Sequence, residues 1–270
     1  MHPGIHNARV RPAAVAGRFY PSDPGELRDL VAKLLHDAPV MELPAQPAAL
    51  IVPHAGYIYS GPVAAAAYAE LSMRRSSIRR VVLVGPSHRV YLNGVAVAEA
   101  DLFATPLGQI PVDRDGRAAL LADTDAISAD APHALEHCLE VQLPFLQMLL
   151  DDFTLLPLVV GAATPQQVAA ALETVWGGAE TLVLISSDLS HYHRYEDAQR
   201  IDRQTSEQIL GYATTLTGEQ ACGSTCINGL LHLAGPRGLA ITEIMRINSG
   251  DTAGDRDRVV GYGAFALHET

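Results

Sequence analysis

The sequence is short of basic side chains. It carries 19 Lys and Arg against 30 Asp and Glu, a formal charge of −11, and no segment forms a basic stripe. That argues against nucleic acid and anionic membrane as partners. Cysteine is scarce too: Cys138, Cys222 and Cys226 are too few for a disulfide framework, and a reduced, cytoplasmic setting is the expectation. No apolar run approaches the ~20 residues needed to cross a bilayer, and the opening stretch MHPGIHNARVRPAAVAG lacks the apolar core of a signal peptide. There is no G-x-x-x-x-G-K phosphate loop, no G-x-S-x-G nucleophile elbow, and Gly261-Tyr262-Gly263 is too little to count as a dinucleotide motif.

The 270 residues, 48% apolar and 18% charged, fit a folded α/β chain with a sizeable core. Helices are expected over Asp23–His36, Pro62–Leu71 (with Ser60 or Gly61 as cap), Asp115–Asp123, an amphipathic Glu136–Asp151, Pro165–Val175, Glu196–Leu210 and the stretch after Cys222. Short apolar runs at Leu50–Val52, Arg80–Val84, Thr154–Val160, Thr181–Ile185, Ala240–Asn248 and Val259–Ala266 read as strands, and Gly94–Asp113 reads as a strand followed by an excursion or hairpin. Strand–helix–strand alternation occurs twice, so the expectation is one domain over residues 1–270, with a central, mostly parallel sheet flanked by helices.

Three of these strands end in the same way. Leu50–Val52 runs into Pro53-His54, Arg80–Val84 into Gly85-Pro86-Ser87-His88, and Thr181–Ile185 into Ser186-Ser187-Asp188-Leu189-Ser190-His191. The carboxyl ends of parallel strands share one edge, where open α/β sheets bind their ligands, so His54, His88 and His191 are expected to converge. Neutral imidazole is a common transition-metal ligand and also titrates near pH 7. Asp188, three residues before His191, either orients an imidazole, binds a metal, or caps the next element.

Two further patterns carry less. His133-Ala-Leu-Glu136-His137 matches the H-x-x-E-H zinc-peptidase pattern, but Pro132 places it at a helix start with no third-ligand helix behind it, so Glu136 and His137 are read as lining the pocket from that start or as simple caps. Cys222 and Cys226 have C-x-x-x-C spacing with no second pair, which excludes a structural Cys₄ site. Taken alone they read as small buried hydrophobes.

Together, the blocks RPAAVAGRFYP, VPHAGYIYSG, GPSHR, EHCLEVQLPFLQ, SSDLSH and the late Cys222-Gly223 resemble the Memo family, the B component of the AmmeMemoRadiSam system, from about Val10 to the C-terminus. The resemblance implies a fold similar to class III extradiol (LigB-like) dioxygenases, with His54 and His88 as histidine ligands and His191 as the acid/base histidine. Cys222 falls where those dioxygenases carry a glutamate. A thiolate is softer than a carboxylate, so ring cleavage does not transfer with the fold. Radical-SAM and Ammecr1-like proteins are implied as partners.

The functional expectation is therefore a mononuclear site at His54, His88 and Cys222, with His191 and Asp188 handling protons and Tyr57, Tyr59, Glu136, His137 and Tyr192 shaping the pocket. Fe(II) is the first choice by resemblance, copper the second on softness, zinc the third. The chemistry expected is redox or O₂-dependent. The rival expectation is a non-enzymatic protein that uses the same cleft for a small molecule, a peptide or a metal.

Overall fold

A computed structural model describes residues 8–270; the first seven, including part of the stretch read for a signal peptide, lie outside the described residues. The strands are β1 (Val10–Arg11), β2 (Pro47–Val52), β3 (Arg80–Pro86), β4 (Val95–Val97), β5 (Leu102–Thr105), β6 (Gly108–Pro111), β7 (Ile127–Ser128), β8 (Thr154–Val160), β9 (Thr181–Ser186), β10 (His191–His193), β11 (Leu239–Asn248) and β12 (Val259–Glu269). The helices are α1 (Pro24–Asp37), α2 (Tyr57–Ala69), α3 (Arg114–Asp123), α4 (Ala131–Ala134), α5 (Leu143–Leu149), α6 (Pro165–Val175), α7 (Tyr195–Leu210) and α8 (Ser224–Ala234).

The main sheet runs β10-β12-β2-β9-β3-β8-β4-β7, with β11 paired to β12. Its centre, β2-β9-β3-β8, is parallel, as the sequence predicts. Antiparallel pairings at β12 and β4 extend it on both sides, so the whole sheet is mixed. The two strand–helix–strand units are not side by side. β9 inserts between β2 and β3, and β3 lies between β8 and β9, so each unit supplies the other's missing neighbour.

The central strands read as unbroken apolar runs because both faces are buried. Alternate residues go to opposite layers: Leu50, Val81, Leu83, Leu182 and Leu184 pack with α1, α2 and α5, while Ile51, Val82, Val84, Val183 and Ile185 pack with α6 and α8. β5 and β6 form the expected hairpin, leaving the main sheet to join β1 in a sheet of their own. Asp23 caps α1 by accepting from the amides of Gly25 and Glu26, and Thr164 and Gln167 form a capping box on α6.

Two helix expectations are corrected. α2 starts at Tyr57, not Pro62, because the Tyr57 amide donates to Phe19 O of the N-terminal arm (2.8 Å) and the Ser60 amide to Gly56 O (3.1 Å). Pro62 consequently lies inside the helix. The long helix expected over Glu136–Asp151 is replaced by a 3₁₀ turn at Glu140–Gln142 and the short α5, while α4 ends at Ala134 before it. Glu136 takes the amides of His137 and Cys138 on its own carboxylate, which diverts the chain, and Pro144 sits in the first turn of α5.

Candidate metal centre

The interleaved topology places β2, β9 and β3 next to one another, and each delivers a site residue at its carboxyl end. His54, His88, His137, Asp188, His191, Tyr192, His193 and Cys222 line one cleft of about 620 Å³. A second lobe of about 420 Å³ joins it at His137, Asp188, His191 and Tyr192, and Phe19, Tyr59, Arg258 and Tyr262 form its further walls. The three strand-end histidines therefore do share one edge and one cleft.

His54, His88 and Cys222 each present one donor atom, and these atoms lie within 4.8 Å of one another. His54 Nε2 is 3.3 Å from Cys222 Sγ. Ligands ~2.0–2.3 Å from a tetrahedral ion stand roughly 3.3–3.8 Å apart, so the donor set fits a transition metal after a small contraction. Cys222 reaches this point because Gly223 follows it: a Cβ on Gly223 would lie 2.7 Å from Ser187 Cβ and 3.0 Å from Ser186 O. Burial and then the Asp188 carboxylate push the Cys222 thiol up to about 12. A metal bound there would reverse that balance by taking the thiolate.

Each histidine is held from behind. His54 Nδ1 lies 3.0 Å from Ser186 Oγ, and the His54 amide donates to Asp188 Oδ1 at 2.7 Å. Asp188 thus anchors the His54 backbone rather than capping a helix; α7 begins later, after Arg194. His88 Nδ1 is 2.9 Å from Glu136 Oε1, and the His88 amide donates to Glu136 Oε2 at 2.7 Å. Burial alone would raise the Glu136 carboxyl, but the bonds from His137 and His88 outweigh it and hold the group well below the carboxylate range. Burial, reinforced by His88 and His137, holds His54 well below the usual histidine range, and burial raises Asp188 despite the bond from His54.

His137 is nearer the centre than the sequence suggests. Its ring lies 4.7 Å from that of His88 and 5.3 Å from that of His54, with Phe19 packed 4.8 Å away on it. His133, by contrast, sits near Ala96 O (3.2 Å) and the Phe103 ring, so the two histidines of H-x-x-E-H do not serve one ion. Tyr57 is corrected out of the pocket: it is buried and donates its hydroxyl to Val141 O at 2.6 Å. Tyr59 walls the second lobe, and Tyr192, exposed and at φ 64°, stands at the junction of the two lobes. His191 lies in the same cleft with its ring 5.7 Å from that of Tyr192.

Sequence reasoning missed Ser186, Gln142 and Tyr68 behind the histidines. The available signal is a serine directly after the apolar run Leu182–Ile185 and a glutamine just before the apolar helix Leu143–Leu149, both buried. It also missed Arg11, which is buried in an ion pair with Glu140 and donates to the carbonyls of His133 (3.0 Å) and Glu136 (2.5 Å), tying the N-terminal arm to the segment that carries Glu136 and His137.

Among the described residues no helix is long and apolar enough to cross a membrane. The family model described as Memo-like protein matches residues 11–266. Similar curated proteins include a MEMO1 family protein of Methanococcoides burtonii, 36% identical over 96% of this chain and 100% of its own length. Another from Sulfolobus acidocaldarius is 35% identical over 94% and 97%, and one from Thermoplasma volcanium is 33% identical over 95% and 97%. A match across nearly the whole chain, together with relatives of the same extent, places this chain in the Memo-like protein family.

Proposed function

We propose that the chain binds one transition-metal ion through His54 Nε2, His88 Nε2 and Cys222 Sγ, and that it is an oxidoreductase using that ion for redox or O₂-dependent chemistry. The observation that carries the reading is the convergence of three such donors, from β2, β3 and the entry to α8, within 4.8 Å at the floor of a cleft. Three protein ligands leave a position open toward the cleft, which is the pattern of catalytic rather than closed structural sites. When bound, the metal would supply electron transfer and activation of an oxygen ligand. Fe(II) is the first choice by family resemblance and copper the second, because the thiolate is soft; zinc is third.

The chain's own residues do the rest. Glu136 and Ser186 hold the two imidazoles from behind. His191 faces the cleft without a hydrogen-bonded side-chain partner among the described residues and would move a proton to or from a bound ligand. Asp188 fixes the His54 loop through the His54 amide. Radical-SAM and Ammecr1-like proteins would be its partners.

The test is metal analysis of protein purified anaerobically, alongside Cys222→Ser. Iron or copper near one equivalent in the wild type and its loss in the variant support the reading. No metal retained, and none taken up on titration, would end it.

A further inference from the structure

Four buried polar side chains run in a line behind the proposed centre: Tyr68, Gln142, Ser186 and His54, all at or below 2% exposure. They lie where core packing alone would place apolar groups, so their hydrogen bonds must close. Counting donors and acceptors along the line fixes every proton in it.

Two carbonyls set the direction, because a carbonyl only accepts. Gln142 Nε2 lies 2.9 Å from Pro53 O, so the amide presents its NH₂ end there and its oxygen to the Tyr68 hydroxyl, 2.8 Å away. The same NH₂ lies 2.9 Å from Ser186 Oγ and donates to it. Ser186 has one proton, and Cys138 O, at 2.6 Å, takes it. Ser186 Oγ then has only acceptor capacity left for His54 Nδ1 at 3.0 Å, so the imidazole must be the donor.

We propose that Ser186, oriented by Gln142 and Tyr68, is a positioning residue that holds His54 as the Nδ1–H tautomer and so keeps the lone pair of Nε2 aimed at Cys222. This rests on the metal reading for its purpose, while the tautomer itself is a property of the metal-free protein. The alternative tautomer would place a hydrogen on Nε2, where it would donate to Cys222 Sγ at 3.3 Å and occupy the position the ion needs. Ser186 sits at the end of β9 and Gln142 just before α5, so the line also makes the histidine's readiness depend on how β9 and the 3₁₀ turn pack. That is how an outer hydrogen-bond partner fixes tautomer and ring direction in a metal site.

The first test is long-range ¹⁵N–¹H correlation NMR of the metal-free, ¹⁵N-labelled full chain, with His54→Gln used to assign the His54 signals. The proposal requires a proton on Nδ1 in the wild type; a proton on Nε2, or a mixture of tautomers, overturns it whatever the protein does with metal. The second is cobalt(II) titration. Ser186→Ala should show the Nε2–H form and lose ~10–100-fold in cobalt affinity, the usual effect of removing such a partner, while Ser186→Thr, which keeps the hydroxyl, should restore both. Wild-type affinity in folded Ser186→Ala overturns the positioning role. If Ser186→Ala does not fold, the wild-type spectrum and the threonine variant decide the question. A wild type that shows the Nδ1–H form but takes up no cobalt would sink the metal reading and leave the tautomer assignment standing.

Discussion

His54 Nε2 faces Cys222 Sγ at 3.3 Å although 168 positions separate the two residues in the chain. The thiol is the feature that separates this site from a two-histidine, one-carboxylate centre. We therefore expect Cys222→Ser to lose most metal affinity, and Cys138→Ser and Cys226→Ser to retain it. A thiolate-to-metal charge-transfer band with cobalt(II) or copper(II) should be present in the wild type and absent only from Cys222→Ser. Because the free thiol is pushed up to about 12, binding must release a proton, and affinity should weaken as the pH falls. If Cys222→Ser keeps both metal and band, the thiol has another role.

His54→Ala should abolish tight cobalt binding, whereas His191→Ala should leave the spectrum in place and cut any turnover by ~10²–10⁴-fold. His137→Ala should perturb the band without removing it, since His137 stands beside the three converging donors, 3.1 Å from Glu136 Oε1, and is not one of them. Loss of metal in His191→Ala as complete as in His54→Ala would mean that the roles of the two are misassigned.

Glu136 carries His88 on both its amide and its ring. Glu136→Gln keeps the shape but removes the charge that fixes the His88 ring. The expected result is a ~10–100-fold weaker cobalt affinity with the fold retained, read by titration beside a thermal melt. Unchanged affinity would reduce Glu136 to a loop anchor.

His133 gives a pH signature independent of metal. Burial lowers it to about 4, and among the described residues Nδ1 has no partner to receive the proton's new hydrogen bond. Its folded pKa is depressed, so its contribution is fully present above the unfolded value near 6.5 and is lost as pH falls through about 4. The difference corresponds to roughly 3 kcal/mol. Urea unfolding at several pH values between 7 and 4 should show this decline, and His133→Gln should flatten it. An equal slope in the variant would assign the acid sensitivity to other groups.

Much of this was legible in the sequence, and what was hidden has physical causes. His54 and His88 are readable because a proline or glycine ends each strand just before them, and strand ends in parallel sheets share an edge. The place of His137 is not legible because H-x-x-E-H is a pattern along the chain, whereas its proximity to His54 and His88 comes from two strands that approach it in space. The true start of α2 is hidden in the sequence because the group that satisfies Tyr57 N is the carbonyl of Phe19, on an arm no local rule connects to it. Ser186 and Gln142 look ordinary in sequence, and their importance appears only when the buried donors and acceptors around them are counted.

The interleaving of the two strand–helix–strand units has a consequence for folding. β2 and β3 meet only through β9, which enters from more than a hundred residues later, and the thiol arrives later still. Pairings of such long sequence separation carry a loop-closure cost that local contacts do not. Neither unit alone can assemble the donor set, so a chain stalled before β9, or emerging from synthesis, has histidines but no place that gathers them. If the proposed centre takes up a metal, uptake should therefore report the last stage of folding, because the three donors come together only when β9 and the entry to α8 are in place.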